Sequence, residues 1–318
     1  MNKLMTVVAA SVCAVSLSGS AIAAEDQSTK KAEAAEAKEA AENLEEEEDK
    51  IFEAGVDFDY FSAYVWRNAI QKDEMVMQPA VWADFTGLDP FWFGFSVWQN
   101  YDLTDRRGAS LRKGLSETDY NVHIGATAWS SDDGDQELGI ELGHEWYDNH
   151  FVTRGAGDAY PDSREIYVKL TYDNPIVNVY GQTSWMYEDF GAYKQGVHYE
   201  IGFNKELEVA DDVTVGADWN VSFGTGHYLN YLYGGAYPVA ADGEYVGSSA
   251  GFGGTTVKLY ATWQVTEWFS LGGVVAYTGV LNSSYREALG DTGDDWYDDG
   301  GFYQRDFVWG GLQAKISF

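Results

Sequence analysis

The chain has 318 residues, 16% of them aromatic, with 35 glycines and only five prolines, a profile of β-rich structure with many tight turns. Its 51 acidic residues against 20 lysines and arginines leave a formal charge of -31, so a phosphate backbone is repelled over most of the surface and nucleic-acid binding is excluded. The single cysteine, Cys13, allows no intrachain disulfide and no thiolate zinc site, and the five histidines form no His-x-x-x-His pair, so neither a metal nor another cofactor is expected.

In chain order, residues 1–23 read as a signal peptide: Lys3 gives the positive start, Met5 to Leu17 the apolar stretch, and Ala21-Ile22-Ala23 a small-x-small cleavage site. Cys13 lies inside the apolar stretch after Ala10-Ser11-Val12, a poor fit to a lipidation site. Residues 24–50 are an acidic Ala/Glu-rich extension with 11 acidic and four basic residues, predicted to be helical or disordered and periplasmic; Leu44 is its one large apolar side chain, so no coiled-coil seam is visible. Beyond the leader no apolar run is long enough for a transmembrane helix. A barrel of alternating strands, each about 9–11 residues, stays open.

From Ile51 onward the hydrophobic period is two. Phe91, Phe93, Phe95 and Val97 alternate with Trp92, Gly94, Ser96 and Trp98, and Leu138, Ile140 and Leu142 alternate with Glu137, Gly139, Glu141 and Gly143. The pattern predicts strands near 52–66, 75–86, 91–101, 118–130, 136–147, 163–172, 176–187, 195–204, 213–223, 254–264, 268–279 and 306–318, twelve in all. Their connections alternate long and short throughout, as in outer-membrane barrels with short periplasmic turns and long outer loops; a soluble sandwich has no reason to keep that parity. The last strand sets Val308, Leu312, Ile316 and Phe318 on one face, the terminal pattern that barrel-assembly machinery handles. The predicted fold is therefore an all-β, 12-stranded antiparallel transmembrane β-barrel over residues 51–318, in the cell outer membrane.

The run from Asp59 to Gln71, containing Tyr64-Val65-Trp66-Arg67-Asn68, followed by Gln78-Pro79-Ala80-Val81-Trp82 and by Phe93-Gly94-Phe95-Ser96-Val97-Trp98, resembles the opening of TorF-family porins. The resemblance covers about residues 56–100, with Trp66 where the family has Phe and Asn68 where it has Gly. It implies an outer-membrane channel with no catalytic residues to carry over. Pro79 inside a strand, lacking an N–H, is expected at a bulge.

If the apolar face meets lipid, the pore-lining carboxylates are Glu53, Asp57 and Asp59 on the first strand, Asp84, Asp119, the trio Glu137, Glu141 and Glu145, then Glu165, Glu200 and Asp218. Against them stand Arg67, Lys169, Lys258 and Lys315. A low-dielectric wall focuses that imbalance, which favours cations, unless the acids pair with the bases or sit at the mouths. Trp82, Trp92, Trp98, Trp129, Tyr167, Tyr180, Tyr260 and Trp309 are expected to face inward, either as a stacking surface for sugars or nucleosides or as filling of a narrow barrel. Tyr64, Trp66, Trp146, Trp185, Trp219, Trp263 and Phe318 are expected outward, in interfacial girdles.

Asp291, Asp294, Asp295, Asp298 and Asp299 make an oxygen-rich loop without EF-hand spacing, read as solvated rather than as a calcium site. Arg106-Arg107 and Arg112-Lys113 form a basic patch for lipid phosphates or simply a charged loop. An enzyme is not expected: no His-x-Ser pair sets base beside nucleophile, and Asp148 with His150 has no second acidic pair. The sequence thus reads as a porin-like channel for passive diffusion of small solutes or ions, its lipid partners those of the outer membrane, compatible with a homo-oligomer, with loops 224–253 and 280–305 as candidates to fold inward. The alternatives are a side-chain-filled barrel serving surface adhesion and, behind it, an outer-membrane hydrolase.

Overall fold

The computed structural model describes residues 51–104, 113–150, 162–188, 195–233, 250–288 and 305–318. The predicted signal peptide, the acidic extension, the Asp291–Asp299 loop and most of the basic patch lie outside the described residues. Fourteen strands are present among them. Twelve, β1 (Phe52–Phe61) and β4 (Val76–Leu88) through β14 (Asp306–Ser317), form one closed antiparallel barrel in which each strand pairs with its neighbours in sequence order and β1 closes onto β14. Seven residue pairs, from Gly55 opposite Ser317 to Phe61 opposite Gly311, seal that closure, so the barrel wall has no free edge.

The intervening strands are β5 (Phe91–Asp102), β6 (Gly114–Ser130), β7 (Glu137–Asn149), β8 (Ser163–Asp173), β9 (Asn178–Met186), β10 (Gly196–Ala210), β11 (Val213–Gly224), β12 (Gly251–Thr266) and β13 (Phe269–Val280). At one end both termini of the barrel and the short connections 89–90, 131–136, 174–177, 211–212 and 267–268 gather; the other end carries 62–75, 103–113, 150–162, 187–195, 225–250 and 281–305. The predicted parity holds at every connection. Local chemistry closes the short turns: the Asn174 side chain accepts from the N–H groups of Ile176 (2.9 Å) and Val177 (3.1 Å), a local turn the chain can form alone.

Outward positions carry the apolar alternation. Phe91, Phe93 and Phe95, Val122 and Ile124, Ile140 and Leu142, Val168 and Leu170, and Val308 and Leu312 are all exposed on the outer wall. An apolar belt of this extent is incompatible with a water-facing surface and suits hydrocarbon. A closed antiparallel barrel with such an exterior is the architecture of an outer-membrane protein. Trp146, Trp185, Trp219, Trp263 and Phe318 are exposed on this face as expected.

Four expectations need correction. The first strand stops at Phe61 rather than at residue 66. Tyr64–Trp66 (β2) and Ala69–Lys72 (β3) form a separate hairpin, and Tyr64 is 4% exposed, so neither Tyr64 nor Trp66 belongs to a girdle. The hairpin turns at Arg67 (φ 48°) and Asn68 (φ 65°); two left-handed residues in succession make the tight turn whose twist matches paired strands. Trp129 faces out, not in: a register shift between Thr127 and Trp129 sets it opposite Leu138, and it is 50% exposed. One extra residue reverses the side to which every later side chain points. Finally, Pro79 sits at no bulge, since the β1 register runs unshifted from Phe52 opposite Phe85 to Phe61 opposite Val76. On the β5 side the paired positions skip Gln78 and Pro79 without changing register. There the Gln78 amide donates to Asn100 Oδ1 at 2.9 Å, spanning the gap left by the missing N–H.

Candidate functional site

Inward positions are polar, charged or small. Glu53, Asp57 and Asp59 on β1, Asp84 on β4, Trp98 on β5, Asp119 on β6, and Glu137, Glu141 and Glu145 on β7 all alternate with the exposed apolar residues and point into the barrel. So do Lys169 on β8, Glu200 on β10, Asp218 on β11, Lys258 on β12 and Lys315 on β14. The registers place each lysine directly across from an acid: Lys169 opposite Glu141, Lys258 opposite Asp218, Lys315 opposite Asp57. Opposite charges at facing positions stabilise a strand pair modestly. They also offset part of the charge of three acids and leave the remainder in excess.

Most inward aromatic rings lie against the wall. Trp82, Trp92, Tyr167, Tyr180 and Tyr260 each face a glycine on the adjoining strand (Gly55, Gly125, Gly143, Gly202 and Gly216), and a Cβ there would meet the ring at 2.1–2.5 Å. The glycines therefore give the rings a floor, so bulky aromatics take little of the lumen's width. Their hydroxyls are then spent on carboxylates: Tyr167 donates to Glu141 and Tyr180 to Glu200, both at 2.8 Å. Lys315 lies 4.8 Å from the Trp82 ring and Lys169 5.8 Å from Tyr180, within the range of cation–π attraction. Asp84 meets the His123 ring at 3.1 Å, and His123 Nδ1 is 2.9 Å from Asn121 Oδ1.

The outer half of the lumen is filled by chain. The β2–β3 hairpin enters it together with α1 (Gly226–Tyr233) and α2 (Ser283–Ala288). Tyr228, Leu229, Leu232, Tyr233 and Tyr285 are buried in one apolar cluster with Ala69, Met186 and Val280, against which Trp66 packs. The α2 start is capped by Asn282, whose Oδ1 accepts from Ser284 N at 3.1 Å. Arg286 of α2 then grips Asp306 through both carboxylate oxygens, at 3.0 and 2.7 Å. This agrees in part with the expectation for loops 224–253 and 280–305; the remainder of both lies outside the described residues. Glycine again makes room: a Cβ on Gly254 would stand 2.7 Å from Asn68 Cβ, and one on Gly196 the same distance from the Tyr228 nitrogen.

Arg67 ties these pieces together. Its guanidinium meets Glu165 at 2.5 Å and Glu145 at 3.3 Å, donates to Tyr147 and Ser184 at 3.1 and 3.3 Å, and bonds the Tyr228 hydroxyl of α1. Glu165, fully buried, accepts in turn from Tyr228 at 3.0 Å. A buried guanidinium fork with carboxylates and phenols on several sides fixes hairpin, helix and wall in one arrangement. Behind the hairpin, Tyr64 donates to Glu117 at 2.7 Å, and Lys72 faces Asp102 at 3.6 Å while donating to Thr104 O at 2.7 Å.

Below this plug the lumen opens into a cavity of about 800 Å³. Asp59, Asp119, Glu145, Glu200 and Asp218 line it with Lys258 and the edge of Arg67, and Trp98, Tyr180, Tyr260 and Trp309 supply apolar faces. A second cavity of about 220 Å³ continues the space beside Asp57, Gln313 and Lys315. Asn121, Gln182, His198, Asn220 and Gln313 also line the large cavity, and sequence reasoning had named none of them for the lumen. Their strand parity carries the signal, but an uncharged side chain has neither the charge nor, in the amides, the ring that marks a pore-lining position. At the outer rim, His150 Nε2 is 3.0 Å from the Thr118 hydroxyl and its Nδ1 3.7 Å from Asp148. Thr118 is only 4% exposed and the carboxylate is beyond hydrogen-bond reach, so this trio does not assemble a nucleophile, base and orienter.

No family model and no curated protein sequence matches this chain. Solved structures of similar fold include an outer membrane channel from Pseudomonas putida, at 9% identity and TM-score 0.48, covering 84% of this chain and 95% of that one. The NanC porin aligns at 8% identity and TM-score 0.46 over 83% and 98%, and outer membrane phospholipase A from Escherichia coli at 12% and 0.41 over 82% and 92%. Channels and an enzyme stand side by side in that set, and the likeness is one of fold alone.

Proposed function

We propose that the protein is an outer-membrane channel through which small solutes, cations in preference, diffuse along an acidic lumen narrowed by inward-folded loops. The observation that carries the reading is the large polar cavity enclosed by the barrel wall, lined by more carboxylates than bases. Focusing of that charge by the low-dielectric wall raises cation concentration along the path. Lys169, Lys258 and Lys315 offset part of the charge of the acids they face, which leaves Glu53, Asp59, Asp84, Asp119, Glu137 and Glu200 to set most of the preference. The resemblance of residues 56–100 to TorF-family porins points the same way, and the apolar outward face of the last strand, with Val308 and Leu312 exposed, suits delivery by barrel-assembly machinery. A chain processed after Ala23, with residues 24–50 on the periplasmic side, completes the reading.

The test is single-channel recording of the refolded chain from residue 24 in a planar bilayer, with the reversal potential taken under a potassium chloride gradient. Discrete steps with a cation-selective potential support it. Steps with no preference, or anion preference, overturn the electrostatic part. A folded barrel without conductance overturns the channel and favours the filled-scaffold alternative, which the packed outer half already supports.

A further inference from the structure

Two polar side chains facing the large cavity carry buried polar atoms without a hydrogen-bond partner. Asn220 is 8% exposed and His198 1% exposed; Asn220 Oδ1 and both His198 ring nitrogens are buried without a hydrogen bond, and both residues line the cavity. Leaving such groups bare is costly, and native chains seldom do so without a use. Two carboxylate oxygens in the same cavity, Asp119 Oδ1 and Asp218 Oδ1, also lack donors. Lys258 faces Asp218 across the strand pair, yet leaves that oxygen unbonded.

The unmet demand is mostly for donors: one amide oxygen and two carboxyl oxygens. Its layout is two-ended. Asp119 stands on β6, and Asp218 with Asn220 on β11, five strands apart one way around the barrel and seven the other, so the two poles lie on facing walls. Between them Trp98 and Tyr260 offer faces suited to an alkyl chain and to cation–π attraction. The cavity of about 800 Å³ falls in the range of small-molecule sites, about 300–1,000 Å³.

We propose that this cavity binds small organic dications, α,ω-diamines, with one ammonium at Asp218 and Asn220 and the other at Asp119. An ammonium has three donors and no acceptor, which matches acceptor-only oxygens at each pole. The inference rests on the channel reading for the ligand's way in, and it names the solute class that reading leaves open.

Calorimetric titration of the refolded, detergent-solubilised chain from residue 24 with 1,4-diaminobutane tests it, with 1,4-butanediol and glucose as neutral probes of similar polarity. The diamine is expected to bind and the neutral probes not. Asp218→Asn and Asp119→Asn each lower its affinity about tenfold or more through loss of a charge-assisted bond, and the double variant abolishes binding. Heat-dependent gel mobility verifies that each variant is folded. Equal binding of butanediol or glucose, or undiminished diamine binding in the folded double variant, overturns the proposal. Cation-selective conductance without diamine binding overturns this inference and leaves the channel; diamine binding in a barrel that never conducts overturns the channel and leaves the site.

Discussion

The two halves of the lumen are built from the same strands with the same alternation, yet they have become different materials. Toward the long-loop end, inward positions meet more chain: Met186, Glu165 and Ser184 are wholly buried beneath the hairpin and α1. Toward the short-turn end, Glu53, Asp84, Glu141 and Lys169 keep partial exposure. The upper half is a protein core with a charged latch, whereas the lower half is a wall around an open polar cavity. In the upper half an inward carboxylate such as Glu165 must therefore be matched by a buried partner, while in the lower half it can remain a field source.

The largest expected effect is at the latch. Arg67→Ala strands Glu165 without its counter-charge, and breaking a buried pair costs about 3–5 kcal/mol. The hairpin and α1 should loosen together, seen as faster amide exchange in residues 64–72 and 226–233 and as larger conductance steps. A variant with Glu165→Gln added should recover part of the protection, because the buried charge is gone. Unchanged exchange in Arg67→Ala would mean that the apolar cluster alone holds the plug.

A second pair of variants separates the halves by sign. Gly254→Val crowds Asn68 at the tip of the hairpin, and Gly202→Val crowds the Tyr180 ring below it; overpacking of this kind costs about 1–3 kcal/mol. The first should displace the plug and raise conductance, and the second should tip a ring into the open lumen and lower it. Equal and same-signed changes would erase the distinction between the halves. Smaller again is the effect of Glu137→Gln with Glu141→Gln, which should move the reversal potential toward zero by an amount that shrinks in high salt. A shift that persists at high salt would place these acids in a dry constriction instead of an aqueous mouth.

Strand number, closure order and facing were legible because lipid and water demand opposite side chains every second residue. The inward hairpin was hidden by that same rule. Tyr64-Val65-Trp66 continues the period of β1, so only the Arg67-Asn68 turn hinted that the strand had already ended. The α1 segment did leave a trace, since Tyr228, Leu229, Tyr231, Leu232 and Tyr233 are too apolar for a loop in water. The outward Trp129 could not be read, because a bulge is a local choice of backbone that alternation does not record. The lumen's charges were legible as residues and not as partners: the facing of Lys169 and Glu141, or the gathering of Glu145, Glu165 and Tyr228 on Arg67, depends on register and loop path.

The division of the lumen can be measured with single cysteines, since the only native one, Cys13, precedes residue 24. In the refolded barrel, the rate of modification by a small water-soluble thiol reagent would be compared for Gln313→Cys in the open cavity and Ser184→Cys under the plug. Rapid modification is expected at 313 and protection at 184, with 184 becoming reactive when Arg67→Ala is added. Equal rates at the two positions in the chain with Arg67 intact would contradict that division.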